Sequence, residues 1–166
     1  MSTTDFLLQK HVLAAAAWVL IVAIAGGLAT EVGAWYKALL QPPWKPPDWA
    51  FGVVWTCIFI ASAFAWLEFW SRNPSADKKC MVSVLFVLNG AFNILWSVLY
   101  FKMHRPDWSM IEAVFLWASV AAIIVALIPV STLAAWLMAP YLVWVSIAMA
   151  LNWETIRLNG PFAQAE

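Results

Sequence analysis

The segment WYKALLQPPWKPPDW, residues 35–49, separates two strongly apolar stretches of the chain and can belong to neither of them. Its four prolines lie within residues 42–47, where they remove backbone N–H donors and fix φ, so those residues cannot be helical. We predict a stiff, extended, polyproline-like loop instead. The segment also carries three tryptophans and a tyrosine, which favour a membrane–water interface. These properties indicate a rigid lid that joins two membrane-spanning helices and covers a site between them.

The composition of the whole chain is that of an integral membrane protein. Of its 166 residues, 64% are hydrophobic and 11% are charged, whereas about a quarter of the residues in soluble domains are charged. The formal net charge is zero and no basic run occurs, so nucleic-acid binding has no electrostatic basis. The histidines His11 and His104 and the cysteines Cys57 and Cys80 are isolated in the sequence. We therefore predict neither a metal site nor a required cofactor.

Five apolar stretches set the architecture. Each is long enough, at about 1.5 Å per helical residue, to cross a hydrocarbon core of about 30 Å. They cover roughly residues 11–30, 49–69, 80–101, 109–129 and 133–155. We predict an all-α bundle of five transmembrane helices, forming a single domain over residues 1–166 in a lipid bilayer. The five predicted helices have four connections. The connection between the first two helices, here called the first loop, is the only long one.

The charged residues of these stretches disfavour ion or proton transport. Glu31, Glu68, Glu112, Glu154 and Arg157 all fall near predicted helix ends. Proton relays and ion pathways usually need an ionisable side chain inside the membrane. We therefore expect neither a proton-coupled transporter nor a selective ion channel.

Small and polar residues inside the predicted helices can be interpreted in two ways, as helix contacts or as ligand contacts. Asn89 and Asn93 are four residues apart in the third predicted helix and share a face, which Trp96 continues. Their amides need partners in apolar surroundings, which either hydrogen bonds between helices or a bound ligand could supply. The pair Gly26-Gly27 in the first helix allows a neighbour to approach closely.

Aromatic side chains recur at helical spacing in two other helices. Such stripes usually serve packing or lipid contact, but several of them beside a rigid aromatic loop favour an apolar pocket for a large flat ligand. They comprise Trp55, Phe59, Ser62 and Trp66 in the second predicted helix, and Trp144, Ala148 and Leu151 in the fifth.

Three segments carry a resemblance to a known family. Residues 35–56 read WYxxLxxPxWxPPxWxFxxxWT, and residues 88–96 read LNxxFNxxW. The fifth predicted helix adds PYxxW at residues 140–144 and the pair Leu151-Asn152. In this order, the segments resemble the translocator protein family, also called the TspO/MBR or peripheral-type benzodiazepine receptor family. The resemblance covers nearly the whole chain.

The resemblance implies a ligand cavity in the half of the bundle next to the first loop, and commonly a homodimer. Family ligands are porphyrins such as protoporphyrin IX, sterols, and isoquinoline or benzodiazepine drugs. Carried onto this sequence, the ligand-binding positions are Tyr36, Pro46, Trp55, Phe59, Asn89, Phe92, Trp144, Ala148 and Leu151.

Sterol is the weaker ligand candidate. In animal members, cholesterol binding is ascribed to a Leu/Val, Tyr and Lys/Arg pattern late in the fifth helix. Here residues 151–157 have Trp153 where the tyrosine would stand. A similar pattern at residues 98–102 lies in another helix, and we attribute it to chance, since such motifs are weak.

Three functions follow as alternatives. The first is a membrane translocator or receptor for porphyrins, acting in transport or in tetrapyrrole and stress signalling. The second is a light-dependent porphyrin-degrading enzyme. In bacterial members of the family, the tryptophans that match Trp55 and Trp144 are associated with this reaction. The third is a scaffold with an incidental pocket. We expect the chain in a bacterial cell membrane, or in the outer mitochondrial membrane if the source is eukaryotic.

Overall fold

The computed structural model describes residues 9–162, which form a bundle of five long helices. All five are long and apolar enough to cross a membrane, so the predicted all-α fold of a multi-pass membrane protein is confirmed. A short helix, α2, lies in the first loop, and a π-helical turn over Val98–Lys102 continues α4. The helices are α1 Lys10–Ala29, α2 Ala34–Ala38, α3 Asp48–Ser71, α4 Ala76–Ser97, α5 Pro106–Leu127 and α6 Thr132–Asn159.

The helices extend beyond the predicted apolar stretches by three or more residues at three ends. Helix α4 begins at Ala76 rather than near residue 80, because charged residues are good helix formers and Asp77 suits the first turn. Helix α5 begins at Pro106 rather than near residue 109, since proline is favourable at the first helical position. Helix α6 continues to Asn159, past the predicted end near residue 155. Hydropathy marks the membrane core, whereas helices run on into the interface.

The helices pack mostly as antiparallel neighbours, and only the pair of α1 and α4 runs parallel within the described bundle. Helix α5 lies between α4 and α6, α3 packs against α6, and α1 packs against both α3 and α4. The side chains of Phe69, Val120, Ile123, Leu127 and Met138 are fully buried at the centre. In a bilayer, such contacts stabilise the bundle through van der Waals packing, since lipid is as apolar as the core.

Polar side chains link the helices inside the membrane. Asn89 Nδ2 on α4 donates to Ser119 Oγ on α5 at 2.9 Å, and Asn93 Nδ2 donates to the hydroxyl of Tyr141 on α6 at 3.0 Å. Tyr100 OH lies 3.2 Å from Thr155 Oγ1 on α6. Both amides therefore make the interhelical hydrogen bonds that formed one of their two predicted roles.

The first loop is tied down by residues from the ends of α4 and α6. Residues 42–47 are non-helical, as predicted. Asn159 hydrogen-bonds both backbone groups of Leu40, and Lys102 forms an ion pair with Glu31 at 2.9 Å. These contacts hold the loop across one end of the bundle.

Candidate functional site

A cavity of about 430 Å³ lies in the half of the bundle next to the first loop. Helices α1, α3, α4 and α6 form its walls, and first-loop residues Tyr36, Gln41 and Lys45 border it. Small-molecule sites in proteins commonly have volumes of about 300–1,000 Å³ and a mostly apolar lining. The size and lining therefore suit an organic ligand rather than an ion.

Aromatic rings dominate two adjoining walls of the cavity, on α3 and α6. On α3, Trp55 stacks on Phe59 with ring centroids 5.6 Å apart and planes 28° apart. On α6, Trp144 meets Phe51 edge-to-face at 5.4 Å. These rings offer flat apolar surfaces of the kind that stack on a planar ligand.

The loop side of the cavity carries its charges. Lys45 forms an ion pair with Asp48, and its ammonium lies 5.3 Å from the centre of the Tyr36 ring. Burial lowers the pKa of Lys45, but hydrogen bonds with Asp48 and Tyr36 outweigh burial and raise the pKa overall. Burial also raises the pKa of the Tyr36 hydroxyl, so Tyr36 stays neutral and Lys45 stays charged. The charged Lys45 ammonium and the exposed Asp48 carboxylate thus lie together on the side of the cavity next to the first loop.

Two buried N–H donors that line the cavity lack acceptors. Gln41 Nε2 and Trp144 Nε1 have no hydrogen-bond partner among residues 9–162. An unsatisfied buried polar group costs about 1–3 kcal/mol. Because both nitrogen atoms are buried, a ligand with carbonyl or carboxylate oxygens would supply the missing acceptors once neighbouring side chains move aside.

Comparison with known proteins identifies the family. The model of the TspO/MBR family matches residues 14–158 of this chain. The chain belongs to the TspO/MBR family. A tryptophan-rich protein TspO of Chlorobaculum tepidum is 34% identical, over 84% of this chain and 90% of its own. Protein CrtK of Rhodobacter capsulatus is 33% identical, over 81% and 84%. The human translocator protein is 31% identical, over 75% of each chain.

Six of the nine residues that the family resemblance predicted to bind ligand come together at this cavity. They extend from the first loop through α3 to α6, and they include both tryptophans proposed for light-driven chemistry. The six are Tyr36, Trp55, Phe59, Trp144, Ala148 and Leu151.

Pro46, Asn89 and Phe92 are not among the residues that line the cavity. Asn89 is fully buried on the side of α4 that faces α5, where it bonds Ser119. The Phe92 ring likewise faces Phe115 of α5, with centroids 6.2 Å apart. Pro46 lies between two lining residues, but its own ring is not in the wall. The structure therefore does not bring these three residues into the cavity wall, and their part in ligand binding stays a prediction.

Sequence reasoning missed the contribution of α1. Val22, Gly26 and Gly27 of α1 line the cavity. Asn93 and Trp96 of α4 line it too, and contact with a bound ligand was one of the two roles predicted for the Asn93 amide. The signal in the sequence was the pair of small residues in α1. Small residues are equally typical of close helix packing, so they did not by themselves indicate a cavity wall. Gly26 does have a neighbour, since a Cβ there would lie 3.7 Å from Asn93 Oδ1, whereas Gly27 has none within 4 Å.

One acidic side chain departs from its predicted place. Because α5 begins at Pro106, Glu112 is the seventh residue of the helix rather than a residue near its end. It is 6% exposed, and neither carboxyl oxygen has a hydrogen-bond partner among residues 9–162. It does not line the cavity. We assign it no role in the site.

Proposed function

We propose that this protein binds a flat, hydrophobic tetrapyrrole such as protoporphyrin IX in the cavity and acts as a membrane translocator or receptor for it. The observation that carries this proposal is the aromatic lining, in which Trp55 stacks on Phe59 and Trp144 meets Phe51 edge-to-face, together with two lining residues that have unsatisfied buried N–H donors. A planar macrocycle with carboxylate substituents matches both features. Neither a metal ion nor a small polar metabolite would use the apolar rings.

The names of relatives support the translocator or receptor role. The human relative is a translocator protein, and a relative from Cereibacter sphaeroides is a tryptophan-rich sensory protein, 32% identical over 75% of this chain. Transport and sensing both require a protein that holds a ligand within the membrane. A binding cavity between spanning helices meets that requirement without catalytic groups.

We further propose that the first loop closes the cavity as a lid. Tyr36, Gln41 and Lys45 of this loop border the cavity. The prolines keep residues 42–47 non-helical, although a hydrogen bond from Lys45 N–H to the Pro42 carbonyl forms a turn there in place of the predicted extended chain. The loop's anchors at Asn159 and Lys102 limit its movement. Such a loop would exclude water from the aromatic walls while a ligand is bound.

A titration tests the proposal. Protoporphyrin IX is added in the dark to the wild type, to Trp144→Phe and to Trp136→Phe, and binding is followed by tryptophan quenching and porphyrin absorbance. Trp136 lies on the same helix but is 71% exposed, so its variant is the matched control. We expect saturable binding that Trp144→Phe weakens about tenfold, equal to about 1.4 kcal/mol, and that Trp136→Phe leaves unchanged. Linear, non-saturable quenching in the wild type would indicate partitioning and favour an incidental pocket.

A second candidate function is light-dependent breakdown of the bound porphyrin. It is favoured by one observation: Trp55 and Trp144 line the same cavity from α3 and α6. In this case the photo-excited ligand would exchange electrons with the two indoles. Illumination of the complex should then consume porphyrin in the wild type, and Trp55→Phe with Trp144→Phe should abolish the loss at equal occupancy. Equal rates of loss in both proteins would exclude this role.

Other partners remain secondary proposals. Sterols and isoquinoline or benzodiazepine drugs are also apolar and would compete for the same rings, with sterol the weaker because Trp153 replaces the expected tyrosine. We also propose a homodimer, on the family resemblance. Intact-mass measurement in mild detergent should give twice the mass of the chain, and a monomer alone would contradict it.

A further inference from the structure

One wall of the cavity is built from small residues of the two helices that border it. Ala23 and Gly27 of α1, Thr30 directly after it, and Gly52 and Thr56 of α3 line the cavity and are also exposed. In each helix they follow one another at steps of three or four, so they share a face. A Cβ built on Gly27 or Gly52 would meet no neighbouring heavy atom within 4 Å. Open space therefore lies beside both glycines.

The contacts that join α1 to α3 lie farther from the first loop. Trp66 Nε1 donates to the His11 carbonyl oxygen at 2.9 Å, and the Trp18 ring meets Phe59 edge-to-face at 6.1 Å. These pairs set an antiparallel register in which Gly27 faces the start of α3, close to Gly52. The two helices are thus held together at one end, and small side chains border the space between them at the other.

The water-facing end of the cavity is more firmly covered. There the first loop crosses the bundle, with Leu40 bonded to Asn159 and Lys45 paired with Asp48. Trp35 of the loop stacks on His104 with centroids 4.2 Å apart. Passage by this route would require breaking these contacts and moving a hydrophobic ligand past charged groups. The space between α1 and α3 requires neither.

We infer that the gap between α1 and α3 is a lateral portal, through which a planar hydrophobic ligand passes directly between the bilayer and the cavity. The portal rests on the proposed function, since it serves the same cavity. Such a ligand partitions into the hydrocarbon core, because burial of its apolar surface there is favourable. Inside the cavity it meets Trp144, which is 8% exposed and whose Nε1 has no acceptor in residues 9–162. A polar substituent would find there a partner that lipid does not provide.

The test is to fill the portal without altering the rest of the cavity. Gly27→Phe and Gly52→Phe each place a ring where a Cβ meets no atom. The matched controls are Leu28→Phe and Val53→Phe, at adjacent positions that are 75% and 53% exposed and do not line the cavity. Association and dissociation of protoporphyrin IX are followed by stopped flow in liposomes, in the dark. Ala23→Phe, one turn away on α1, repeats the test if either glycine variant does not fold.

A portal and a binding contact give different rate changes. Blocking a portal raises one barrier in both directions, so we expect both rate constants to fall about five- to tenfold. Because Gly27 and Gly52 also line the cavity, Kd should change as well, but by less than either rate constant. The controls should keep wild-type rates. Unchanged rates in every filled variant would overturn the portal, even with normal wild-type saturation. Wild-type binding that does not saturate would instead overturn the proposed function, and the portal with it.

Discussion

Asn159 at the end of α6 binds both backbone groups of Leu40, which lies 119 residues earlier in the first loop. The Leu40 N–H donates to Asn159 Oδ1 at 2.7 Å, and Asn159 Nδ2 donates back to the Leu40 carbonyl at 3.0 Å. The same Nδ2 also donates to the Thr155 carbonyl at 2.9 Å. The side-chain amide thus supplies hydrogen-bond partners for both backbone groups of Leu40, as a neighbouring β-strand would.

Asn159→Ala should loosen the first loop. The change removes both bonds to Leu40, and each such bond contributes about 0.5–1.5 kcal/mol. We expect faster trypsin cleavage after Lys37, an exposed residue of α2, while the bundle stays folded. The rate is measured by mass spectrometry. Glu154→Ala is the control, because Glu154 pairs with Arg157 on the same helix; similar cleavage in both variants would argue against the anchor.

Ala148→Leu should weaken ligand binding. Ala148 lines the cavity, and the added carbons would occupy space beside Trp55 and Trp144. We expect Kd for protoporphyrin IX to rise about tenfold or more, a loss of about 1.4 kcal/mol, with little change in thermal stability. Ala150→Leu on the same helix is exposed and serves as the control. Equal affinity of both variants and the wild type would place the ligand elsewhere.

Two glycine substitutions should change stability in opposite directions. A Cβ at Gly90 on α4 would lie 2.8 Å from both Trp18 Nε1 and Val22 Cγ2 on α1. Gly90→Ala should therefore destabilise the bundle by about 1–3 kcal/mol through overpacking. Gly27→Ala meets no atom and should stabilise α1 by about 0.5–1 kcal/mol. Thermal unfolding in detergent measures both; a tolerated Gly90→Ala would mean that α1 and α4 pack less closely.

The ion pair between Glu31 and Lys102 should respond to acid. The hydrogen bond from Lys102, followed by its charge, lowers the pKa of Glu31 below its ordinary value of 4.5. Since the folded-state pKa is depressed, the pair stabilises the folded protein at neutral pH, and this contribution is lost as the pH falls through the Glu31 pKa. NMR titration of the carboxyl carbon should show Lys102→Met returning the pKa toward 4.5. Lys37→Met is the control, and an unshifted pKa in Lys102→Met would refute the pairing.

Much of the fold is predictable because the membrane restricts it. Apolar length locates all five long helices, since only helices satisfy their backbone in lipid. The prolines of residues 42–47 likewise fix a non-helical loop. Hydropathy does not locate a helix end that lies in polar sequence, such as those at Ala76 and Asn159. Polar residues at the membrane interface occur in helices and in loops alike.

The site is predictable where an aromatic stripe along one helix faces the cavity. The stripes on α3 and α6 do so, since the cavity is lined by Trp55, Phe59, Trp144, Ala148 and Leu151. Asn89 belongs to the same stripe as Asn93 but bonds α5 instead, because α4 lies between two polar partners. Spacing along one helix cannot tell which neighbour each turn meets. The unmatched donors of the cavity also depend on contacts between elements, which the sequence does not show.

The π-helical turn at Val98–Lys102 has a consequence for chain length. Met103 N–H bonds the carbonyl of Val98 in a widened turn, and the adjacent side chains of Tyr100 and Phe101 are both buried. Such turns hold one more residue than an α-helical turn. Deleting one residue there would rotate the following chain by about 100° and carry Lys102 away from Glu31. We expect related chains to conserve the number of residues in this turn, because that number sets the direction in which the side chains at the end of α4 point.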